Sequence, residues 1–393
     1  MITYFESYNK KDCNGCGVCE LICPKKCIKM IKDNEGFLYP QIDKDKCINC
    51  GKCRRVCSNF PKKNENEIKA YATKNKNEID RKNSTSGGMF KILAEYVINN
   101  DGVVFGVELN KDLIAQHNYA ETMEECRKFS TSKYVRSDLN NSYPKVKEFL
   151  SNGRKVLFTG TPCQIQGLRN YLGKDNEDLI LCEIICHANP SPKILEMYLK
   201  GYELKYGKKI KNIYFRSKNP DMNNSAYIEF EDGTKVSANT YIRAFTGEQL
   251  INRPSCNSCK FVSSNRKADF TIGDFWGVKN IFPEFDDGKG VSLLTVNTLK
   301  AKRIFNNIND KMIFKESDLE KAFSYNHNSN LPQSKKRRIF FDEINNGIIN
   351  ENNIIEKFKE YTKMPLHKKI IGKCKSIIKR VLNIKKNANK SKC

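Results

Sequence analysis

Cys13-Asn-Gly-Cys16-Gly-Val-Cys19-Glu-Leu-Ile-Cys23-Pro24 is followed, 34 residues along, by Cys47-Ile-Asn-Cys50-Gly-Lys-Cys53-Arg-Arg-Val-Cys57-Ser58. Both runs read C-x2-C-x2-C-x3-C. Two residues between neighbouring thiolates let a tight loop wrap one corner of a cube. Gly17 and Gly51 each follow the second cysteine of their run. A residue without Cβ takes positive φ there and turns backbone N–H groups toward sulfur. The spacing predicts two 4Fe–4S clusters. Zinc and a disulfide framework compete for the same residues. Zinc is four-coordinate and usually pairs C-x2-C units across a longer gap, which disfavours it here.

The same spacing is that of bacterial two-cluster ferredoxins, in which the distal cysteine of each run serves the other cluster. Cys13, Cys16, Cys19 and Cys57 then hold one cluster, and Cys47, Cys50, Cys53 and Cys23 the other. Pro24 turns the chain away after the first run; Ser58 stands in that place after the second. Residues 1–60 are expected as an α+β ferredoxin-like two-cluster domain, repeated about the Asn34-Glu35-Gly36 turn. A polar linker, 61–67, leads to a larger α/β domain, 68–360, and a basic tail, 361–393.

A chain of 393 residues has room for about two or three domains. It contains no run of about 18 apolar residues, so no membrane span is expected. Its first residues lack the basic-then-apolar order of a signal peptide. Seventeen cysteines then argue for reduced thiols and metal, and for a cytoplasmic location. The net charge of +24 raises a nucleic-acid reading. Much of that charge is local, since residues 363–393 carry eleven Lys or Arg and no acid. No arginine-rich stripe with interleaved aromatics stands mid-chain, so no nucleic-acid partner is expected. A basic surface attracting an acidic protein such as a ferredoxin is the more economical account. The tail sets Ile370, Ile371, Ile377, Ile378, Val381, Leu382 and Ile384 among its lysines. That pattern fits a solvated tail, or an amphipathic helix making peripheral contact with an anionic membrane.

Apolar patterning predicts strands over Lys69–Thr73, Gly102–Val107, Arg154–Thr159, Leu179–Ile185, Ala268–Ile272 and Val291–Val296, with a hairpin across Tyr227–Val236. Helices are expected after Ser84-Thr-Ser-Gly-Gly88, over Tyr143–Leu150, Gln164–Leu172 and Pro192–Tyr206. This alternation is α/β. Four further cysteines stand in marked contexts. Cys163 sits in Gly160-Thr-Pro-Cys-Gln164, at a strand-to-helix turn, and Cys186 in Cys186-His-Ala-Asn-Pro-Ser-Pro192, at the next strand end. Cys256 and Cys259 form Pro254-Ser-Cys-Asn-Ser-Cys-Lys260. Converging, they suit a third 4Fe–4S cluster or zinc, and spacing alone leaves both open. Cys27, Cys126 and Cys182 read as small core residues; Cys374 and Cys393 have no partner in the sequence.

These stretches, with Ser132-Lys-Tyr134 and Gly273-Asp-Phe-Trp276, resemble the coenzyme F420 hydrogenase/dehydrogenase beta-subunit family, from the ferredoxin unit to about residue 300. Ala188-Asn189 departs from the Gly-Val usual there after Cys-His. The resemblance implies an iron–sulfur flavoprotein that binds FAD, with a 4Fe–4S cluster near the flavin, here on Cys163, Cys186, Cys256 and Cys259. It implies an oxidoreductase taking electrons from reduced ferredoxin or a similar donor, through its clusters, to FAD and a small-molecule substrate. That substrate would be the deazaflavin coenzyme or one in polysaccharide metabolism. A flavin accepts electrons singly and delivers them as hydride, which joins the two regimes. The alternative is a non-catalytic subunit that relays electrons to a partner enzyme.

The resemblance also assigns roles. The Ser84, Ser86, Gly87, Gly88 turn, at a helix N-terminus, offers N–H groups to a diphosphate, as do Gly160 and Thr161. Lys133 would neutralise phosphate or reduced flavin, and Asp274 would line the pocket with Trp276. His187, beside Cys186, is a candidate proton donor. Plainer roles compete for each: a helix cap, a surface lysine, a core tryptophan, a hydrogen-bonded histidine at a strand end.

Overall fold

The computed structural model describes residues 3–59, 66–218, 220–222, 225–326 and 329–363. Most of the expected linker and the tail beyond Lys363, with Cys374 and Cys393, lie outside the described residues.

In the N-terminal unit β1 (Ile28–Lys32) pairs antiparallel with β2 (Leu38–Ile42), Ile28 opposite Ile42. The turn between them falls at Asn34–Gly36. Asp33 Oδ1 accepts the amides of Glu35 at 3.1 Å and Phe37 at 2.9 Å. Gly17 and Gly51 have φ of 75° and 70° and start the short helices Val18–Leu21 and Lys52–Arg55. The positive φ expected of both glycines is present.

The following strands are β3 (Lys69–Asn75), β4 (Val103–Leu109), β5 (Ala115–Ala120), β6 (Val156–Gly160), β7 (Leu179–Ile184), β8 (Ile210–Tyr214), β9 (Tyr227–Phe230), β10 (Lys235–Ser237), β11 (Phe270–Asp274), β12 (Ser292–Val296) and β13 (Met312–Ser317). Eight of them form one sheet in the order β13-β3-β12-β11-β7-β6-β4-β5. Its centre, β4, β6, β7 and β11, is parallel. The flanks are antiparallel, so the α/β domain is built on a mixed sheet. β6 is buried at every residue of Val156-Leu-Phe-Thr-Gly160, as a strand covered on both faces requires. Helices Met89–Ile98 and Leu299–Ile308 bury Leu93, Val97, Ile304 and Phe305 on one face. Helices Ser142–Ser151 and Pro162–Leu172 bury Val146, Ile165 and Leu168 on the other.

Helix Pro192–Tyr206 forms as its sequence predicts. Ser191 Oγ accepts the Ile194 amide, Pro192 fills the first turn, and Gly207 ends the helix at φ 63°. It packs Ile194, Leu195 and Tyr198 against the sheet β10-β9-β8 and two later helices, Arg337–Asn345 and Ile354–Tyr361. Those two helices, helix Leu299–Ile308, β5, β8 and β13 are not among the elements the sequence predicts.

Buried arginines clamp the N-terminal unit to the larger domain. Arg253 is 1% exposed and donates to Cys13 O at 2.8 Å and Leu38 O at 2.9 Å. Its guanidinium lies 4.3 Å from the Tyr39 ring centre. Arg337 grips the Glu35 carboxylate with both Nη atoms, at 2.8 and 2.5 Å. Ser191 Oγ donates to Glu35 O, and Lys193 Nζ to Asn34 O at 2.8 Å. The turn joining β1 and β2 is therefore the docking point.

Candidate iron–sulfur and cofactor site

The two N-terminal cysteine sets are arranged with their ligands crossed. Burial raises the Cys19 thiol well above its usual value, and the facing sulfurs of Cys16, Cys13 and Cys57 add to it. The other distal cysteine, Cys23, lines one cavity with Cys47, Cys50 and Cys53. Cys27 is buried as expected, but it also touches this set, its Sγ 3.4 Å from that of Cys23. Cys126 and Cys182 are core residues, as expected.

The second constellation converges. Cys163 stands in the first turn of the helix after β6, which Thr161 and Gln164 cap reciprocally. Cys186 follows β7. Cys256 lies in, and Cys259 just after, the 3-10 turn Pro254–Ser258. All four line one small cavity. Burial, then the sulfurs of Cys256, Cys163 and Cys259, pushes the Cys186 thiol well up. A metal centre would take the four as thiolates and so remove the repulsion that keeps Cys186 protonated. Two buried donors line the same cavity without a protein acceptor, Asn14 Nδ2 and Ser255 Oγ. The sulfides of a cubane are acceptors at that place, so the donor set fits a 4Fe–4S cluster. Among the described residues no three His, Cys, Asp or Glu stand close enough to hold a single metal ion. A cubane, with iron at four corners, takes its thiolates at wider spacing.

The first and second constellations touch. A Cβ on Gly167 would lie 3.0 Å from Cys16 Cβ, so only glycine lets the helix bearing Cys163 come this near. Buried Arg136 spans the contact, with Nη1 3.5 Å from Cys163 Sγ and Nη2 donating to Gly15 O at 2.8 Å. Asn14 reaches the four-cysteine cavity from the N-terminal side.

On the other side of the four cysteines lies a larger cavity of about 280 Å³, at the carboxyl ends of the parallel strands, where open α/β sheets place ligands. Ser84, Ser86, Gly88, Lys133, Gly160, Thr161, His187, Asp274 and Trp276 all line it. Gly87 does not. Its amide donates to Ser292 Oγ at 2.8 Å, and a Cβ there would lie 2.5 Å from Thr73 O. Gly87 is glycine because β3 and β12 pass close by, which corrects its assignment to phosphate. The Thr161 amide is likewise taken, by Gln164 Oε1 at 3.0 Å. Asp274 is paired with Arg216, a cation on the same wall that the sequence reading missed. Lys133 Nζ donates to the carbonyls of Ser130 at 2.7 Å and Lys128 at 2.9 Å, and burial pushes its pKa down to about 7. His187 lines both cavities and stacks on Trp276, ring centres 4.7 Å apart. Trp276 is 45% exposed and stands at the cavity mouth rather than in the core.

His117, also missed, anchors a buried polar chain to this wall. Its Nε2 lies 3.1 Å from Thr159 O and its Nδ1 3.2 Å from Ser137 Oγ, which accepts from Gln164. Burial holds His117 down at about 4 and so neutral at pH 7.

Among the described residues no helix is long and apolar enough to cross a membrane. Residues 12–59 match the family of 4Fe-4S dicluster domains. Residues 153–322 match the family described as the C-terminal part of the coenzyme F420 hydrogenase/dehydrogenase beta subunit. The second match contains Cys163, Cys186, Cys256 and Cys259 and begins after Ser84–Gly88 and Lys133. No curated protein matches the chain. Among solved structures it is similar to a chain of the F420-reducing NiFe hydrogenase complex from Methanosarcina barkeri, studied by xenon derivatization. The two are 17% identical over 76% of this chain and 94% of that one, with a TM-score of 0.43. The chain thus joins a 4Fe-4S dicluster domain, in residues 12–59, to a segment, residues 153–322, that matches the C-terminal part of the coenzyme F420 hydrogenase/dehydrogenase beta subunit.

Proposed function

We propose that the chain is an electron-transfer subunit that relays single electrons between a soluble donor and a partner enzyme. The observation that carries this is the contact of the Cys16 and Cys163 sets. Cys16 meets the helix of Cys163 across Gly167, and Arg136 spans the two. Each set would hold a 4Fe–4S cluster, which takes up and releases one electron at a time. Cys50 is the one exposed cysteine among these twelve, with exposed Lys44, Lys46, Lys52, Arg54 and Arg55 near it in sequence. An acidic donor such as reduced ferredoxin would dock there, drawn by charge. The family's name as a hydrogenase or dehydrogenase subunit supports work with a partner.

A second reading, that the chain is itself a flavoprotein reductase, is favoured by the cavity beside Cys186. Lys133, Arg216, Ser84, Ser86 and Gly88 would hold the anionic half of FAD. Trp276 and His187 offer a stacked wall to a ring, and His187 a proton. One experiment separates the readings. The anaerobically purified chain is given reduced ferredoxin and the deazaflavin coenzyme, with FAD added. The relay predicts reduced clusters and no sustained turnover of the coenzyme. Sustained turnover by the chain alone overturns the relay, and clusters that stay oxidised overturn both.

The cavity carries its own prediction. Lys133 is charged below about pH 7 and neutral above it. An anionic ligand is therefore held best below that pH and loosened as pH rises through it. Losing one charge-assisted bond of about 1.5 kcal/mol weakens FAD roughly ten-fold between pH 6 and pH 8. Quenching of Trp276, the only tryptophan, measures it. Lys133→Met should bind weakly at both pH values.

A further inference from the structure

Ser58 occupies the position where the first cysteine run carries Pro24. It is 0% exposed. Its Oγ lies 3.0 Å from Cys16 Sγ and 3.0 Å from Asn14 Oδ1, and the geometry suits donation to either. A hydroxyl carries one proton, so it serves one acceptor at a time. The two acceptors face different ligand sets. Cys16 belongs with Cys13, Cys19 and Cys57. The other end of the Asn14 amide, Nδ2, is buried without a partner in the cavity of Cys163, Cys186, Cys256 and Cys259. Ser58 thus stands at the contact of the two sets, beside the Gly167 approach and the Arg136 span.

We propose that Ser58 is a positioning residue for electron transfer, its hydroxyl turning between Cys16 Sγ and Asn14 Oδ1 with the charge on the first ligand set. The inference rests on the cluster reading above. Hydrogen bonds to ligand sulfur are among the factors that set a cluster's potential. The bond is stronger when the sulfur is more negative, so it favours the reduced form. When the electron arrives, the O–H points to Cys16. When it leaves toward Cys163, the O–H turns to Asn14, and the amide Nδ2–H is polarised toward the second set. No covalent bond changes; the proton stays on Ser58 Oγ throughout. Proline at this position, as after the first run, has no such donor.

The test uses the full chain with iron and sulfide counted first, then potentials read by EPR-monitored titration. Ser58→Ala should move the potential of the Cys16 set's cluster to a more negative value and leave the cluster of Cys23, Cys47, Cys50 and Cys53 in place. Ser58→Thr should restore it. The reduced cluster should show an exchangeable proton coupling, lost in deuterium oxide and in Ser58→Ala, and regained in Ser58→Thr. Unmoved potentials at full iron content, or a shift of all clusters together, would overturn the proposal. If Ser58→Ala loses iron, the unaltered protein decides: a reduced cluster of this set with no exchangeable coupling sinks the idea. Absence of clusters from the unaltered chain would instead sink the reading beneath it.

Discussion

Replacing Cys163, Cys186, Cys256 or Cys259 by alanine should lower iron by about four per chain, or leave a damaged three-iron form, if these four hold the proposed third cluster. Each supplies one corner of the same cavity, so no one of them is redundant. The clusters of the first 60 residues survive, because their ligands are local and crossed only between the two runs. Electron flow past Cys16 stops, since His187 and the larger cavity lie beyond the missing cluster. Cys182→Ala serves as the control. It removes a buried core sulfur and should cost about a kcal/mol or two of stability with no loss of iron. Iron counting and EPR read both. Full iron in all four variants would remove the site.

Arg253→Ala should be the most destabilising single change at the contact of the two units. It strips donors from two half-buried carbonyls, Cys13 O and Leu38 O, and the cation from above Tyr39. Hydrogen bonds from a charged group are worth about 1.5–3 kcal/mol each, so the loss is roughly 3 kcal/mol or more. Arg253→Lys should be nearly as damaging, because an ammonium cannot span both carbonyls as the planar fork does. The guanidinium chloride midpoint, followed in parallel with bleaching of the clusters, measures it. A midpoint within error of the unaltered chain contradicts this role.

What was legible in the sequence was local. Helix Pro192–Tyr206 carries its own start, stop and apolar stripe between Ser191 and Gly207. The cysteines of the first unit carry the spacing of a 4Fe-4S dicluster domain within each run. β5, Ala-Gln-His-Asn-Tyr-Ala, and β13 were not legible. They are the two edges of the sheet: β13 leaves Ile313 to Glu316 exposed, and β5 sets Gln116, His117 and Asn118 between its alanines, so neither shows a clean apolar alternation. The helices Arg337–Asn345 and Ile354–Tyr361 could have been found, since Phe340, Phe341 and Ile344, then Ile354, Ile355 and Phe358, repeat at helical spacing. Arg136, Arg253 and Ser58 could not. Each acts through a contact made across the fold, 121 residues from Gly15, 240 from Cys13 and 42 from Cys16. Gly87 misled because a glycine pair before a helix looks the same whether it yields to a phosphate or to a neighbouring strand.

Mössbauer spectroscopy with iron and sulfide analysis of the anaerobically purified full chain tests the account most directly. It predicts about twelve irons and as many sulfides per chain, all in cubanes. On full reduction the EPR signals should be broadened by spin coupling, because the Cys16 and Cys163 sets adjoin. Zinc without sulfide at the second constellation, about eight irons in all, or three magnetically isolated clusters would contradict it.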